Sequence, residues 1–571
     1  MRIALVTAVV GIGAFVALSY ATIINVPGDY ATIQAGLNAA SQGDTVLVQP
    51  GTYVENIIWP PVNGIKLFSA GDSSNTIVDG SGAGSVISVT GTGNIDTSTV
   101  MQGFGIMDGG NVIWGGGICC DNSSLVIRNS AIVGNSSAYY GGGVACRNNS
   151  TPTIQDCRFS ENVSVYMGGG LACFSSSPTI KNCTICDNHC LGDTAGGGYG
   201  GGIYCENTST PTVENCIISA NSAAYGGGID CWSLCSPTII NCTIIGNTTT
   251  GGGGGVELGH GNSTITGCVI SGNLSTYGNG GGIYCDGTHL IAENCIISGN
   301  SAALLGGGLS MSGNSTGTIS DCVVSGNATI GNSPWADGGG AIYLWSSSPI
   351  LSGVLIDSNF SAEFGGGVYC VYDSHPFFQH CTLSRNRAMS EGDGIYVGVG
   401  CLPNVAQCNI LLNGTGVYCA SSSQWLPCPS NWWGDISGPY HPTLNPSGLG
   451  DSTSMFVNPI PFLTEPDSLA PQVSVCEQPF AQPADFLLLP NYPNPFNSLT
   501  SVPFQLPVMS KVTLKVYNIL GREVAVVVDG EVMEAGQHTV RFDGDDWTSG
   551  IYFYQLRAGN YSEVRKMILL K

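Results

Sequence analysis

Basic residues are scarce in this chain. It has 571 residues, with 16 Lys and Arg against 39 Asp and Glu and a net charge of -23. A chain without a basic surface is not built to hold a nucleic acid. The same imbalance disfavours a polyanionic sugar unless divalent cations bridge the contact. Charge of either sign is sparse too, at 10% of residues, yet the hydrophobic fraction is 43%, too high for a disordered chain. Helical periodicity is nearly absent, confined to a short stretch from Ala31 to Ala40. Past Leu18 no apolar run is long enough to span a bilayer. The run before it, Ile3 to Leu18 behind Met1-Arg2 and ahead of Ser19-Tyr20-Ala21, reads as a secretory signal peptide over residues 1–21. An uncleaved anchor is the rival reading.

What the chain has instead is glycine, 83 residues of it. Gly-Gly-Gly recurs ten times, starting at Gly115, Gly141, Gly168, Gly200, Gly226, Gly253, Gly280, Gly306, Gly338 and Gly365, and Gly392-Asp393-Gly394 follows in phase. Units of 26 to 32 residues without a helical pattern predict a solenoid of stacked rungs. With the first glycine as position zero, position three is apolar throughout, from Ile118 to Ile395, with Ala341 in the ninth unit. Position five is mostly cysteine (Cys120, Cys146, Cys173, Cys205, Cys231, Cys285, Cys370), with Tyr343 in the ninth unit. A second cysteine column runs from Cys157 to Cys408, flanked by aliphatic columns. Each rung is thus expected to supply two or three short strands. Asparagines recur before the triplets (Asn135 through Asn413), where left-handed backbone angles and rung-to-rung amide bonds are expected. A shorter row, Asn182, Asn215, Asn241 and Asn294 with Asp156 and Asp321, marks another bend.

These repeats, as in Cys216 to Ile229, resemble those of the right-handed β-helix superfamily of pectate-lyase-like proteins, and also those of polymorphic outer-membrane proteins. The resemblance implies an all-β chain with a right-handed parallel β-helix over residues 22–430. For function it implies little, since the superfamily holds lyases, esterases, hydrolases, adhesins and stalks. Residues 25–55 resemble the amino-terminal cap of such helices. Asn431-Trp432-Trp433-Gly434 resembles a closing segment, within a closing and Pro/Ser-rich linker region over residues 431–485. The module from Phe486 to Lys571 alternates like a small immunoglobulin-like β-sandwich. Its "LLLPNYPNPFN", "VYNILGREV" and "SGIYFYQL" segments closely resemble the type A C-terminal sorting domain of the type IX secretion system. That resemblance implies the secretion machinery as a partner, no transmembrane segment after signal removal, and a destination outside or on the outer surface of a Gram-negative-type bacterium.

An exported chain with 24 cysteines invites a disulfide reading. Rungs spaced by about 4.8 Å set parallel cysteines further apart than a disulfide's Cβ atoms, so the ladders read as thiols. Cys186 and Cys190 lie outside the ladders and are candidates for a disulfide. With Cys183 and His189 they form C-x2-C-x2-H-C, a weak zinc signature that an inward Cys183 opposes.

Chemistry is sought on the outward columns. Position four reads Tyr204, Asp230, Glu257, Tyr284 in consecutive units, and position six reads Glu206, Trp232, Gly259, Asp286, with His260 adjacent. Stacked carboxylates repel, so Asp230 and Glu257 are expected to share a proton or a cation such as calcium. Flanking rings suit a polysaccharide ligand. The expected function is therefore binding or scaffolding at a cell surface. The alternative is a polysaccharide-active enzyme, a glycoside hydrolase or lyase, with Asp230 and Glu257 as catalytic candidates. Gly259-His260-Gly261 matches one short polygalacturonase motif, without that family's companion Asp pair and Arg-x-Lys.

Overall fold

A computed structural model describes residues 21–90, 95–192, 197–331, 338–422, 425–473, 487–488, 491, 499–519, 521–533, 536–544, 547–559 and 561–569. The signal segment falls outside these residues, as does most of the Leu487–Asn497 motif. The chain forms two compact units, one ending at Gln472 and one beginning at Val473.

The first unit is a parallel β-helix. Sheet one has 15 strands, from Ile57–Ile58 to Ser452–Thr453, and includes the strand after each glycine triplet. Sheet two has 15, from Ile23–Val26 to Asn404–Ala406, and sheet three 14, from Gly51–Val54 to Asn409–Leu411. Rungs carry a fourth strand as well. Ten two-residue strands from Ser136–Ser137 to Arg387–Ala388 make sheet four, too short and polar to register in the sequence pattern. Pairing is parallel and in register, as in Ile203 to Ile229 to Val256.

The triplet is glycine for separate reasons at each place. The first takes a left-handed backbone angle, as at Gly200 (φ 66°). A Cβ at the second, Gly227, would lie 2.6 Å from the Gly254 carbonyl oxygen and 2.7 Å from that of Thr248. A Cβ at the third, Gly228, would lie 2.6 Å from the Gly255 oxygen. Chain must stack on chain there with no side chain between.

Register is written by a buried file of asparagines. In each of Asn135 through Asn386 the backbone N–H and the side-chain amide both donate to the Oδ1 of the next asparagine. For Asn221 these bonds to Asn247 are 3.0 Å each. The amide's second proton goes to a carbonyl one rung back, as from Asn247 to Ile218 at 2.9 Å. The file begins at the Gly109 N–H and ends on Asp451, whose Oδ2 accepts from the N–H and Nδ2 of Asn413 at 3.0 and 2.8 Å. The expectation that these asparagines adopt left-handed angles is corrected. The residue before each does so, for example Asp187 (φ 55°) or Gly246 (φ 64°), and that turn points the amide inward. The shorter row does sit at left-handed corners, with φ from 51 to 54° between Asp156 and Asp321.

Both cysteine columns are buried, and the second column's thiols donate to nearby carbonyls, as Cys183 to Lys181 at 3.2 Å. A third file went unread in the sequence. The backbone N–H groups of Ser123, Ser150 and Ser176 donate to the next hydroxyl, each at 3.1 Å. Its spacing from the triplet varies by a residue, which hides it. The recurring Ser-x-Pro, as in Ser209-Thr210-Pro211, is the visible trace. One register is also corrected. Leu309 pairs with Ile342 and Met311 with Leu344, so the ninth unit starts at Gly339 and its steps are 33 and 26 residues rather than 32 and 27. Ala341 takes the third glycine's place, and Tyr343 faces outward.

Both ends are covered. The helix Ile33–Ala39 buries Ile33 and Leu37 over the first strands. Thr32 caps it, and the Glu55 carboxylate accepts the Ile33 and Gln34 N–H groups at 2.8 and 2.9 Å. At the far end Trp433 is fully buried as a plug, and Asn431 terminates the cysteine file by accepting from the Cys408 N–H at 2.9 Å. The tail then folds back onto sheet three, where Asp467 meets His380 Nδ1 at 2.6 Å and the Pro471 carbonyl accepts from Thr382. The first part of the Pro/Ser-rich stretch is therefore packed chain.

The second unit is antiparallel. A three-stranded sheet (Leu487–Leu488, Leu499–Leu506, Gly536–Asp543) and a four-stranded sheet (Ser510–Asn518, Glu523–Met533, Gly550–Ala558, Tyr561–Leu569) enclose one core, including Phe504, Leu514, Tyr554 and Leu569.

Asn247→Ala strands the Asn221 donors in a dry interior and is expected to destabilise the solenoid by roughly 3 kcal/mol. Asn241→Ala, at an exposed left-handed corner, is expected to cost only about 1 kcal/mol. Urea unfolding of the two variants measures the difference.

Candidate functional site

Sheet one carries all the outward candidates, and it splits them into two groups. Tyr204, Asp230, Glu257 and Tyr284 are consecutive partners in position four. Their row was expected to face solvent, and that expectation is corrected: Asp230 is 1% exposed, Glu257 4% and Tyr204 3%. The cause is a roof. The residue before each triplet folds over position four, and Tyr199 and Tyr225 stack there with centroids 5.4 Å apart. Further along the same face Trp114 stacks on Tyr140 at 4.1 Å, with Phe174 edge-on to both.

The two carboxylates are held differently. Glu257 Oε2 accepts the Gly226 N–H at 3.1 Å, whereas Asp230 Oδ1 is buried without a partner. Burial, the repulsion of Glu257 and then that of Glu206 hold the Asp230 carboxyl well above the usual carboxylate range. Burial pushes Glu257 up to about 8, against the lowering effect of the Gly226 N–H. Burial also raises the phenols of Tyr204 and Tyr284. Carboxyls in this state hold protons near neutrality.

Position six forms the accessible group. The Trp232 ring lies flat where a Cβ of Gly259 would be, and it meets His260 edge-on with centroids 5.3 Å apart. His260 Nε2 stands 3.9 Å from Asp286 Oδ2, and Asp286 Oδ1 accepts from Ser312 at 3.1 Å. The same Ser312 hydroxyl lies 3.1 Å from the Tyr284 phenol, which links the two groups. Glu206 pairs across the sheet with Phe174, at the edge of this row. Beside His260 a shallow cleft of about 320 Å³ is lined by Leu234, Ser236, Asn262, His289, Asn314 and Thr316 among others. The sequence pattern does not single out His289 or Thr316, which open paired strands of sheet two, or Asn314 in the turn before Thr316. The Gly-His-Gly triplet has a packing explanation: Gly259 lies under Trp232, His260 is a left-handed corner (φ 56°), and Gly261 lies against the Cys235 carbonyl.

The cysteine–histidine candidates do not converge. Cys183 is in the buried ladder, Cys186 ends a strand of sheet three, and Cys190 is buried in sheet four beside Ser164. His189 points outward to Ser222 at 2.8 Å. Cys186 and Cys190 are both free thiols, so the disulfide expectation is corrected: they lie on strands of two different sheets, either side of the corner at Asp187. Among the described residues no three His, Cys, Asp or Glu side chains are grouped to hold a metal.

The sequence matches the family described as a right handed beta helix region in three overlapping spans, residues 63–244, 225–352 and 254–426. The chain belongs to the right-handed β-helix family. Residues 491–570 match the secretion system C-terminal sorting domain. No curated protein matches the chain. This β-helix protein is therefore a secreted or cell-surface protein addressed to the type IX machinery of Bacteroidetes-type bacteria. Among the described residues no helix is long and apolar enough to cross a membrane.

The raised carboxyls give a signed pH dependence. A carboxyl whose folded pKa exceeds its unfolded value contributes stability below about pH 4 that is lost as pH rises through the folded value. Without divalent cations, Asp230→Asn with Glu257→Gln is expected to stabilise the protein above pH 8, by on the order of 4 kcal/mol. The gain should shrink toward pH 5. Denaturant unfolding at the two pH values checks the sign.

Proposed function

We propose that this β-helix protein is a non-catalytic surface scaffold that binds an extended neutral glycan along the position-six row, through Trp232, His260, Asp286 and the adjoining cleft. The observation that carries the reading is the burial of Asp230 and Glu257, 1% and 4% exposed. With these two buried, the candidates left at the surface are a tryptophan ring, an imidazole and a hydrogen-bonded carboxylate. That set suits a pyranose: the ring packs on the sugar's apolar face, and the polar pair takes its hydroxyls. The low content of Lys and Arg favours a neutral sugar over a pectate-like chain.

A glycan array with the purified protein tests this. Trp232→Ala is expected to weaken the best hit about tenfold, corresponding to ~1.4 kcal/mol, with Asp230→Asn/Glu257→Gln leaving it unchanged. Turnover of any glycan that the double substitution abolishes would establish the enzyme reading in place of this one. Deleting residues 491–571 is expected to leave the β-helix inside the cell envelope, measured by surface proteolysis and fractionation.

A further inference from the structure

The corner that follows sheet one is left-handed in each of the first ten repeat units. Counted from the first glycine, with the ninth unit starting at Gly339, position seven has φ between 45 and 66° from Asn122 to Tyr372. Asn, Ser and Gly occupy it in eight of these units, the residues that suit such angles. The other two carry rings, His260 and Tyr372, at φ 56 and 51°. A bulky side chain is costly there, because its Cβ crowds the following carbonyl oxygen.

Tryptophan is equally selective. Within the repeat units it stands at position six only as Trp232 and Trp345, and each corner ring lies one rung beyond one of them. Trp345 meets Tyr372 with centroids 5.4 Å apart, as Trp232 meets His260 at 5.3 Å. The second pair is open to solvent, with Trp345 47% exposed and Tyr372 66%. Each pair also has an imidazole set against a carboxylate. His375 Nδ1 accepts the Leu402 N–H at 3.0 Å, so Nε2 carries the proton, and it faces Asp373 Oδ1 at 3.2 Å. Between the pairs, position six holds Asp286 and Ser312, joined by a hydrogen bond of 3.1 Å, and position seven holds Gly287 and Gly313. The edge thus runs from one aromatic pair to the other through small and polar residues.

We propose that Trp345 and Tyr372, with His375 and Asp373, form a second sugar-stacking subsite, and that one linear neutral glycan lies along the edge from Trp232 to Trp345. The proposal rests on the glycan reading of the Trp232 row. The two tryptophans are four rungs apart, about 19 Å. A β-1,4-linked pyranose chain is an extended ribbon that advances by about one rung spacing per sugar, so about five sugars reach both rings. Each aromatic pair packs on a pyranose face, and the Asp286–Ser312 stretch takes hydroxyls of the sugars between. A coiling α-1,4-linked chain would leave the line between the rings.

Calorimetric titration of cello-, xylo- and mannohexaose, and of their trioses, into the full chain tests this. At least one hexaose is expected to bind about tenfold or more tighter than its triose, because the second contact is intramolecular. Trp345→Ala should weaken that hexaose about tenfold and the triose by no more than about twofold. Tyr372→Asn, which places a residue type usual at this corner, should weaken the hexaose while the protein melts no lower than the parent. A hexaose weakened by Trp232→Ala but not by Trp345→Ala would overturn the second subsite and leave the glycan reading standing. Equal affinity for triose and hexaose would do the same. Binding of no hexaose would also overturn it, and an empty glycan array would take the reading beneath it as well.

Discussion

A rung of this solenoid is stable only if its backbone groups land on those of the rung before, and the file of asparagine amides leaves one way to do so. Each Oδ1 takes two protons from the previous rung, and each amide returns one to a carbonyl behind it. A slip of one rung residue would strand several of these groups in a dry interior, where each costs on the order of 1–3 kcal/mol. The glycine triplet is the counterpart of this constraint. It lets the chain come close enough for the amides to meet, and a methyl group at its second or third place would strike the neighbouring backbone. The donors to Oδ1 all point toward the carboxy-terminal end, so the file needs an acceptor there, and the Asp451 carboxylate supplies it.

Once register is fixed, the outer face of sheet one follows. Position four stands over the sheet in an unbroken row, and the residue before each triplet must cross it. Where that residue is aromatic the row is sealed. Where it is Gly252, the Tyr284 ring and the Glu257 carboxylate fill the space, while Asp230 lies one rung back in the rung of Tyr225. The acid pair on the row thus belongs to the interior of a stacked surface. The accessible chemistry moves to position six, at the edge where the chain turns.

Much of this was legible in the residues. The triplets, the cysteine columns and the asparagine row are locked to one period, because each answers to the same stacking constraint. The caps were legible as well, since a short helix and a tryptophan pair stand out in a chain with so little helix. Burial of position four was not. Alternation along Ile229-Asp230-Cys231 shows which side of the sheet a residue takes, but not whether another segment covers that side. The hydroxyl file escaped because its turn gains or loses a residue from rung to rung. The ninth unit's register escaped because Ala341 replaces a glycine, and only strand pairing reveals it.

The account turns on whether the roof keeps the Asp230–Glu257 pair out of water. Infrared difference spectra between the parent and the Asp230→Asn/Glu257→Gln protein, in chelator near pH 7, observe the carboxyls directly. The account predicts a protonated carboxylic C=O band in the parent that is lost in the variant. A parent showing only ionised carboxylates that titrate near pH 4, as in water, would contradict it.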